Sequence, residues 1–205
     1  MRSEPVRYVA LGDSYTIGTS VAASERWPIQ LVERLGGAGR PLQLAANLAV
    51  NGFTSGDVLA VEVPRLVDLR TGFVTLLVGV NDVVQGVPEA TYRANLELIL
   101  DALERSVPIG RIVTVTTPDY TLTPAGADYG EPDARRAGIV RLNAILEETA
   151  RGRGVALVDI FDVSTRAASE RSLVADDGLH PSGAQYALWV DRIAPVVERL
   201  LAVRP

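Results

Sequence analysis

The chain carries few side chains that could act as a base or a nucleophile, and this narrows the chemistry it can perform. It has one histidine, His180, and no cysteine, and all 20 of its basic residues are arginine. Cysteine nucleophiles, thiolate metal sites, disulfides and every reaction that uses a lysine amine are therefore excluded. Any mechanism that needs an imidazole must use His180.

A serine nucleophile needs a base and a group that orients this base, and the sequence supplies candidates for both. Ser14 follows a short apolar run, and Asp177 lies three residues before His180. An imidazole can take the proton of an attacking hydroxyl, while a carboxylate fixes its tautomer and stabilises its positive charge. Asp176 is a competing carboxylate. The spacing favours Asp177, because Gly178 gives freedom for a tight turn and an extended chain would point Asp176 the other way.

Two further positions could stabilise the oxyanion that a serine attack creates. Gly52 offers an unobstructed backbone N–H, and Asn81 offers a side-chain amide. Gly56 is an alternative to Gly52, which we prefer because it lies closer to the end of a predicted strand. Taken singly, these residues and Ser14 could also be ordinary turn or helix-cap residues.

Five short runs rich in valine, leucine and isoleucine predict buried strands at residues 7–11, 42–47, 73–78, 111–116 and 155–158. Between them, apolar residues recur at helical spacing, as in Tyr92, Leu96, Ile99 and Leu103. Strands that alternate with helices predict a parallel sheet with helices on both faces, a three-layer α/β/α sandwich. We expect a single domain over residues 1–205.

The candidate residues follow the strands of this predicted sheet. Ser14 follows the first strand, Gly52 the second and Asn81 the third, while Asp177 and His180 come after the fifth. Ligands of such sheets bind beyond the carboxyl ends of the strands. We therefore expect these five residues to lie along one rim of the sheet.

Four sequence blocks around these residues resemble those of the GDSL-type, or SGNH, hydrolases. Ser14 stands in GDS, Gly52 in NG, Asn81 in GVND, and Asp177 with His180 in D-x-x-H-P, in the order of that family. The resemblance implies a flavodoxin-like fold with strand order 2-1-3-4-5 and hydrolysis of esters or thioesters without a metal or cofactor. It also implies a Ser14–His180–Asp177 triad, with an oxyanion hole formed by the Ser14 and Gly52 N–H groups and the Asn81 amide.

The expected activity is that of a serine esterase acting on short to medium acyl chains. Carbohydrate O-deacetylation and lysophospholipid hydrolysis are alternatives within the same family. The apolar flanks of the candidate residues predict that Val80, Val83, Tyr120 and Leu179 contact the acyl group. The loop at residues 118–132, rich in proline and glycine, is a functional lid, a substrate wall or an ordinary surface loop, and the sequence does not decide between them.

A binding protein is the rival class, because flavodoxin-like folds can also hold FMN or phosphate. The hydroxyls of Ser14, Thr16, Thr19 and Ser20 are faintly similar to a phosphate-binding loop. This interpretation leaves Asn81 and the D-x-x-H-P block without a role, so the hydrolase is preferred.

Composition limits the partners and the compartment. The net charge of −5 argues against nucleic acid or an anionic membrane as the partner, since both need a basic surface. The apolar runs have the length of strands and are too short to span a membrane. The N-terminal residues lack the long apolar run that is typical of a signal peptide. We expect a cytoplasmic protein whose partner is a small-molecule ester, and the sequence does not predict an oligomeric state.

Overall fold

A computed structural model describes residues 5–39 and 42–203. Its five strands form one parallel sheet and are β1 (Val6–Gly12), β2 (Leu42–Asn47), β3 (Phe73–Leu77), β4 (Ile112–Val115) and β5 (Ala156–Val158). The strand order is β2-β1-β3-β4-β5, which confirms the order implied by the resemblance. Each predicted strand agrees with the structure to within one residue at either end.

The helices of the described residues connect the strands and cover the sheet. They are α1 (Ser14–Ile17), α2 (Trp27–Gly37), α3 (Ser55–Asp57), α4 (Val80–Gln85), α5 (Glu89–Ser106), α6 (Pro132–Arg153), α7 (Phe161–Thr165) and α8 (Gly183–Ala202). Helix α3 continues into irregular helical turns that end at Leu69. None of the helices in this described part is both long enough and apolar enough to cross a membrane.

Two hydrophobic cores lie on opposite faces of the sheet, because side chains alternate along a strand. Tyr8 and Ala10 of β1 belong to the core formed with α2 and α8, where Trp189 is fully buried. Val9 and Leu11 belong to the core formed with α5 and α6. The predicted three-layer α/β/α sandwich is therefore confirmed.

The central strands β1 and β3 come very close together where they end. Gly12 ends β1 with φ +149°, and a Cβ placed there would lie 2.1 Å from the carbonyl oxygen of Leu77. Gly79 follows β3 with φ +142°, and its Cβ would lie 2.8 Å from Thr117 Oγ1. Only glycine fits at either position. The two glycines therefore allow β1 to lie against β3, and the start of α4 to lie against the segment that follows β4, at the carboxyl rim of the sheet.

Candidate active site

Ser14 is the first residue of α1, directly after the end of β1. Asp13 caps this short helix, because its Oδ1 accepts the backbone N–H of Tyr15 at 3.0 Å. The carbonyl of Asp13 also accepts the N–H groups of Thr16 and Ile17, both at 3.0 Å. The abrupt change from strand to helix holds Ser14 at the sheet rim, where 9% of the residue remains exposed.

A tight turn brings Asp177 onto the imidazole of His180. The distance from Asp177 Oδ2 to His180 Nδ1 is 2.6 Å. Asp177 Oδ1 accepts the backbone N–H groups of Leu179 at 2.9 Å and of His180 at 3.0 Å. The turn depends on Gly178, whose φ is +75°. Asp176 is exposed, and no hydrogen bond in the described structure involves its side chain, so the structure pairs His180 with Asp177 and not with Asp176.

The hydrogen bonds around Asp177 keep this carboxylate ionised. Burial by itself raises its pKa, but the hydroxyl of Ser20, the backbone N–H of Leu179 and the groups of His180 outweigh that effect. Together they hold the pKa of Asp177 well below its usual range, because each donor stabilises the charged form. The lowered pKa favours a negative charge facing His180 Nδ1.

The ring of His180 is held against the core by aromatic packing. Its centroid lies 5.6 Å from that of Tyr15, which in turn lies 6.3 Å from the Trp189 ring. Ser14 and His180 line the same cavity, although no hydrogen bond joins the Ser14 hydroxyl to the ring. Hydrogen bonds of this kind are often long in unliganded sites and shorten when substrate binds.

Three residues that carry N–H donors, Ser14, Gly52 and Asn81, line the cavity in front of the Ser14 hydroxyl. In residues 5–39 and 42–203, the backbone N–H groups of Ser14 and Gly52 make no hydrogen bond. The Asn81 amide donates one N–H to the carbonyl of Phe53 at 2.9 Å, which leaves its second N–H available. Gln85 donates to the carbonyl of Gly52 at 2.9 Å, so α4 also holds the Gly52 loop. Such an arrangement suits a developing oxyanion.

The choice of Gly52 over Gly56 agrees with the positions of both glycines. Gly52 lines the cavity with φ +81°, whereas Gly56 lies inside α3 and away from it. The residue before Gly56, Ser55, instead anchors the loop, since its N–H and hydroxyl donate to Asp82 at 2.9 and 2.5 Å. Asp82 thus joins α4 to the loop that carries Gly52.

Two buried carboxyl groups lie behind the nucleophile. Glu62 Oε2 accepts the N–H of Gly12 at 2.9 Å, while its other oxygen and Asp13 Oδ2 have no hydrogen-bond partner among residues 5–39 and 42–203. Burial raises the pKa of Asp13 to about 8 and that of Glu62 to about 9, and the negative charge of nearby carboxylates adds to both shifts. These groups support the backbone that positions Ser14, without reaching the cavity.

The cavity in front of Ser14 has a volume of about 230 Å³. It is lined by Ser14, Tyr15, Asn51, Gly52, Val80, Asn81, Val84, Tyr120, Tyr129, Leu179 and His180. The structure therefore gathers all the residues proposed for catalysis except Asp177, which lies behind His180. Of the four residues proposed to contact substrate, Val80, Tyr120 and Leu179 are present.

The prediction for Val83 is wrong. Residues four apart share one face of a helix, so Val80 and Val84 of α4 both line the cavity while Val83 points elsewhere. Val83 packs against α6 at Gly138, where an added Cβ would lie 2.9 Å from its Cγ1. Sequence reasoning also missed Tyr129 as a lining residue.

The loop after β4 forms one wall of the cavity. Asp119 is buried at its start, forms an ion pair with Arg136, and accepts the Thr121 hydroxyl at 2.7 Å. The loop then turns through a short 3₁₀ helix, Gly126–Tyr129. The ring of Tyr129 meets that of Tyr120 edge-on at 6.1 Å. Tyr120 and Tyr129 of this loop both line the cavity.

Known proteins are similar to this chain in sequence and in fold. The sequence model of the GDSL-like lipase/acylhydrolase family matches residues 10–188. A GDSL lipase of Mycobacterium tuberculosis is 26% identical over 209 residues, which cover 96% of this chain and 82% of that protein. The structure of a lipase/acylhydrolase from Enterococcus faecalis has a TM-score of 0.76 and 22% identity, with 98% of each chain covered.

A second solved structure is also similar. It is that of a variant of Axe2, an acetylxylan esterase from Geobacillus stearothermophilus, with a TM-score of 0.74 and 16% identity over 100% of this chain and 98% of that one. The family match includes all four blocks, from Ser14 to His180. The chain therefore belongs to the GDSL-like lipase/acylhydrolase family and is a carboxylic ester hydrolase.

Proposed function

We propose that this protein is a serine esterase that hydrolyses carboxylic esters and thioesters of short to medium acyl chains through an acyl-enzyme on Ser14. The observation that carries the proposal is the shared cavity of Ser14 and His180, with Asp177 bound to the far side of the imidazole. The chain itself supplies the nucleophile, the base and the oxyanion donors, and water is the second substrate.

Acylation begins when the Ser14 hydroxyl attacks the carbonyl carbon of the ester. His180 Nε2 accepts the hydroxyl proton, since Nδ1 is occupied by its hydrogen bond to Asp177. The nearby carboxylate stabilises the imidazolium that forms. As the tetrahedral intermediate collapses, the imidazolium gives its proton to the leaving alcohol or thiol, and the acyl group stays on Ser14.

The negative oxygen of the tetrahedral intermediate lies among the three free donors. These are the backbone N–H groups of Ser14 and Gly52 and the second N–H of the Asn81 amide. Because α4 and the Gly52 loop are already joined by hydrogen bonds, the donors need little rearrangement during the reaction. Water then attacks the acyl-enzyme with His180 as base, and the carboxylic acid leaves.

The size and lining of the cavity support a small acyl group. Its volume of about 230 Å³ lies below the roughly 300–1,000 Å³ that is typical for drug-sized ligands. Val80, Val84 and Leu179 give it an apolar wall, which favours an alkyl chain over a bare sugar. Tyr129 is 42% exposed at the cavity, where it faces both the acyl group and solvent.

A chain-length series tests the substrate class. We expect p-nitrophenyl esters from acetate to palmitate to give the highest kcat/KM between butyrate and octanoate, because longer chains exceed the cavity. Acyl-CoA, a lysophospholipid and acetylated xylan should be compared under the same conditions. A preference for acetate together with release of acetate from xylan would replace the proposal with O-deacetylation, the activity named for the acetylxylan esterase of similar fold.

Removing the Ser14 hydroxyl tests the mechanism. Ser14→Ala is expected to abolish hydrolysis without loss of fold, and a fluorophosphonate probe should label Ser14 in the unaltered enzyme. Ser24→Ala is a matched control, because Ser24 is exposed and lies outside the cavity. Mapping of the probe to any other serine by mass spectrometry would refute the assignment of the nucleophile.

A further inference from the structure

The turn after α1 carries two hydroxyl groups that the proposed mechanism does not use. The sequence alone allowed a phosphate-binding role for Thr19 and Ser20, but in the structure both hydroxyls donate to side chains of the site. Thr19 Oγ1 donates to Asn51 Oδ1 at 2.6 Å. Ser20 Oγ donates to Asp177 Oδ2, also at 2.6 Å. The turn therefore connects the nucleophile helix to both the Gly52 loop and the Asp177 turn.

Ser20 makes this hydrogen bond from a strained backbone conformation. Its φ is +64°, and Arg70 is the one other non-glycine residue with a positive φ in the described ranges. An L-residue pays a steric penalty in this left-handed region, whereas glycine does not. A turn without a functional side chain would be more stable with glycine. The hydrogen bond from the Ser20 hydroxyl to Asp177 is a contribution that glycine could not make.

We propose that Ser20 is a positioning residue of the esterase reaction, whose hydroxyl holds the Asp177 carboxylate in the orientation that the His180 imidazole needs. This inference rests on the proposed function, since it assigns Ser20 a part in the same site. Ser20 does not touch the substrate cavity and acts only through Asp177.

The hydrogen bonds at Asp177 explain how the hydroxyl would act. Oδ2 is shared by the Ser20 hydroxyl and His180 Nδ1, and Oδ1 accepts two backbone N–H groups. With a donor other than the imidazole at each oxygen, the carboxylate keeps one orientation. The ring proton then stays on Nδ1, which leaves Nε2 as the acceptor for the Ser14 proton.

The Ser20 hydroxyl also stabilises the charge of Asp177. Burial raises the pKa of this carboxyl group, and among the hydrogen bonds that lower it, the one from Ser20 has the largest effect. Without Ser20, the carboxylate would keep its backbone donors at Oδ1, but the imidazole would be the one donor left at Oδ2 among the described residues. It could then turn away from the ring toward water.

Two substitutions separate the hydroxyl from the turn. Ser20→Ala removes the hydroxyl and keeps the backbone strain, whereas Ser20→Gly removes both. We expect kcat to fall about 10-fold in both variants, since a hydrogen bond to a charged group is lost, with KM unchanged. Ser20→Gly should be no less stable than the unaltered protein. If Ser20→Gly keeps the full kcat, Ser20 is only a turn residue and the proposal is overturned.

A double substitution tests whether Ser20 acts through Asp177. In an Asp177→Asn background, Ser20→Ala is expected to cause no further loss of kcat, because the carboxylate it positions is already gone. A second loss of about 10-fold would overturn the proposal. Ser106→Ala is the matched control: this exposed hydroxyl donates to the carbonyl of Ala102 at 2.8 Å, far from the site, and kcat should not change.

The imidazole provides a readout that does not depend on ester hydrolysis. Because the chain has one histidine, its ¹⁵N signals show which ring nitrogen carries the proton. We expect a larger fraction of the Nε2–H tautomer in both Ser20 variants than in the unaltered protein, and equal fractions would overturn the role of Ser20. If the unaltered protein hydrolyses none of the esters, the proposed function fails, while these signals still decide the role of Ser20.

Discussion

Replacing Asp177 with asparagine tests the arrangement of the whole triad, because it changes the charge and not the shape. The asparagine carbonyl can still accept the backbone N–H groups of Leu179 and His180, which Asp177 Oδ1 accepts at 2.9 and 3.0 Å. Its NH₂ group then replaces Oδ2 and points at His180 Nδ1. A donor at this position forces the ring proton onto Nε2, the atom that must accept the proton of Ser14.

The size of the loss follows from the two backbone hydrogen bonds. Activity requires the asparagine amide to flip, and the flip leaves both N–H groups facing another donor. Each unpaired N–H costs about 1–3 kcal/mol, so that the flip costs roughly 4 kcal/mol. Since ~1.4 kcal/mol corresponds to a factor of ten, kcat should fall by about 10³-fold. Weaker stabilisation of the imidazolium can only increase this loss.

The assay is steady-state hydrolysis of p-nitrophenyl butyrate by Asp177→Asn and by Asp176→Asn, with circular dichroism as a check of the fold. Asp176 is exposed and its side chain makes no hydrogen bond in the described structure, so Asp176→Asn should stay close to the unaltered rate. Equal losses in the two variants, or a larger loss in Asp176→Asn, would refute the tautomer argument.

Two further predictions concern the oxyanion site and the buried carboxyls. Asn81→Ala should lower kcat by about 10²–10³-fold with little change in KM, since the donor acts on the oxyanion; an effect confined to KM would contradict this role. Burial raises the pKa of Asp13 to about 8, whereas the pKa of an aspartate in the unfolded chain is near ~4. Between these two pH values the folded protein keeps a proton that the unfolded chain releases. The free energy of unfolding therefore falls as the pH rises through this range. Asp13→Asn should therefore lose less Tm between pH ~5 and ~8 than the unaltered protein, and equal losses would show that Asp13 does not titrate in this range.

The sheet could be predicted because its strands are buried on both faces and appear as continuous apolar runs. The long helix α5 could be predicted in the same way, because its buried residues recur at helical spacing. These residues, all fully buried, are Tyr92, Leu96, Ile99 and Leu103. The helical turns between α3 and Leu69 had no such signal: their apolar residues follow no single period, and Pro64 interrupts them.

The candidate site could be predicted where function depends on a short local pattern. Asp177 and His180 are in contact because a turn of four residues joins them, and Gly178 in the sequence indicates that turn. The contact between Ser20 and Asp177 spans 157 positions, so no local pattern could reveal it. The position of Val83 could have been predicted from the sequence. Val80 and Val84 are four residues apart and share one face of α4, and Val83 does not lie on that face.

The two glycines at the ends of β1 and β3 affect how the sequence blocks should be interpreted in other chains. Gly12 is required by its contact with Leu77 of the neighbouring strand and Gly79 by its contact with Thr117, and neither takes part in the proposed chemistry. A chain that had lost its nucleophile would need both glycines as much as an active enzyme does. Their presence in a GDS or GxND block is therefore a marker of backbone architecture. Libraries that diversify this active site should leave both positions unchanged, because a side chain at Gly12 would push β1 away from β3 and one at Gly79 would clash with Thr117.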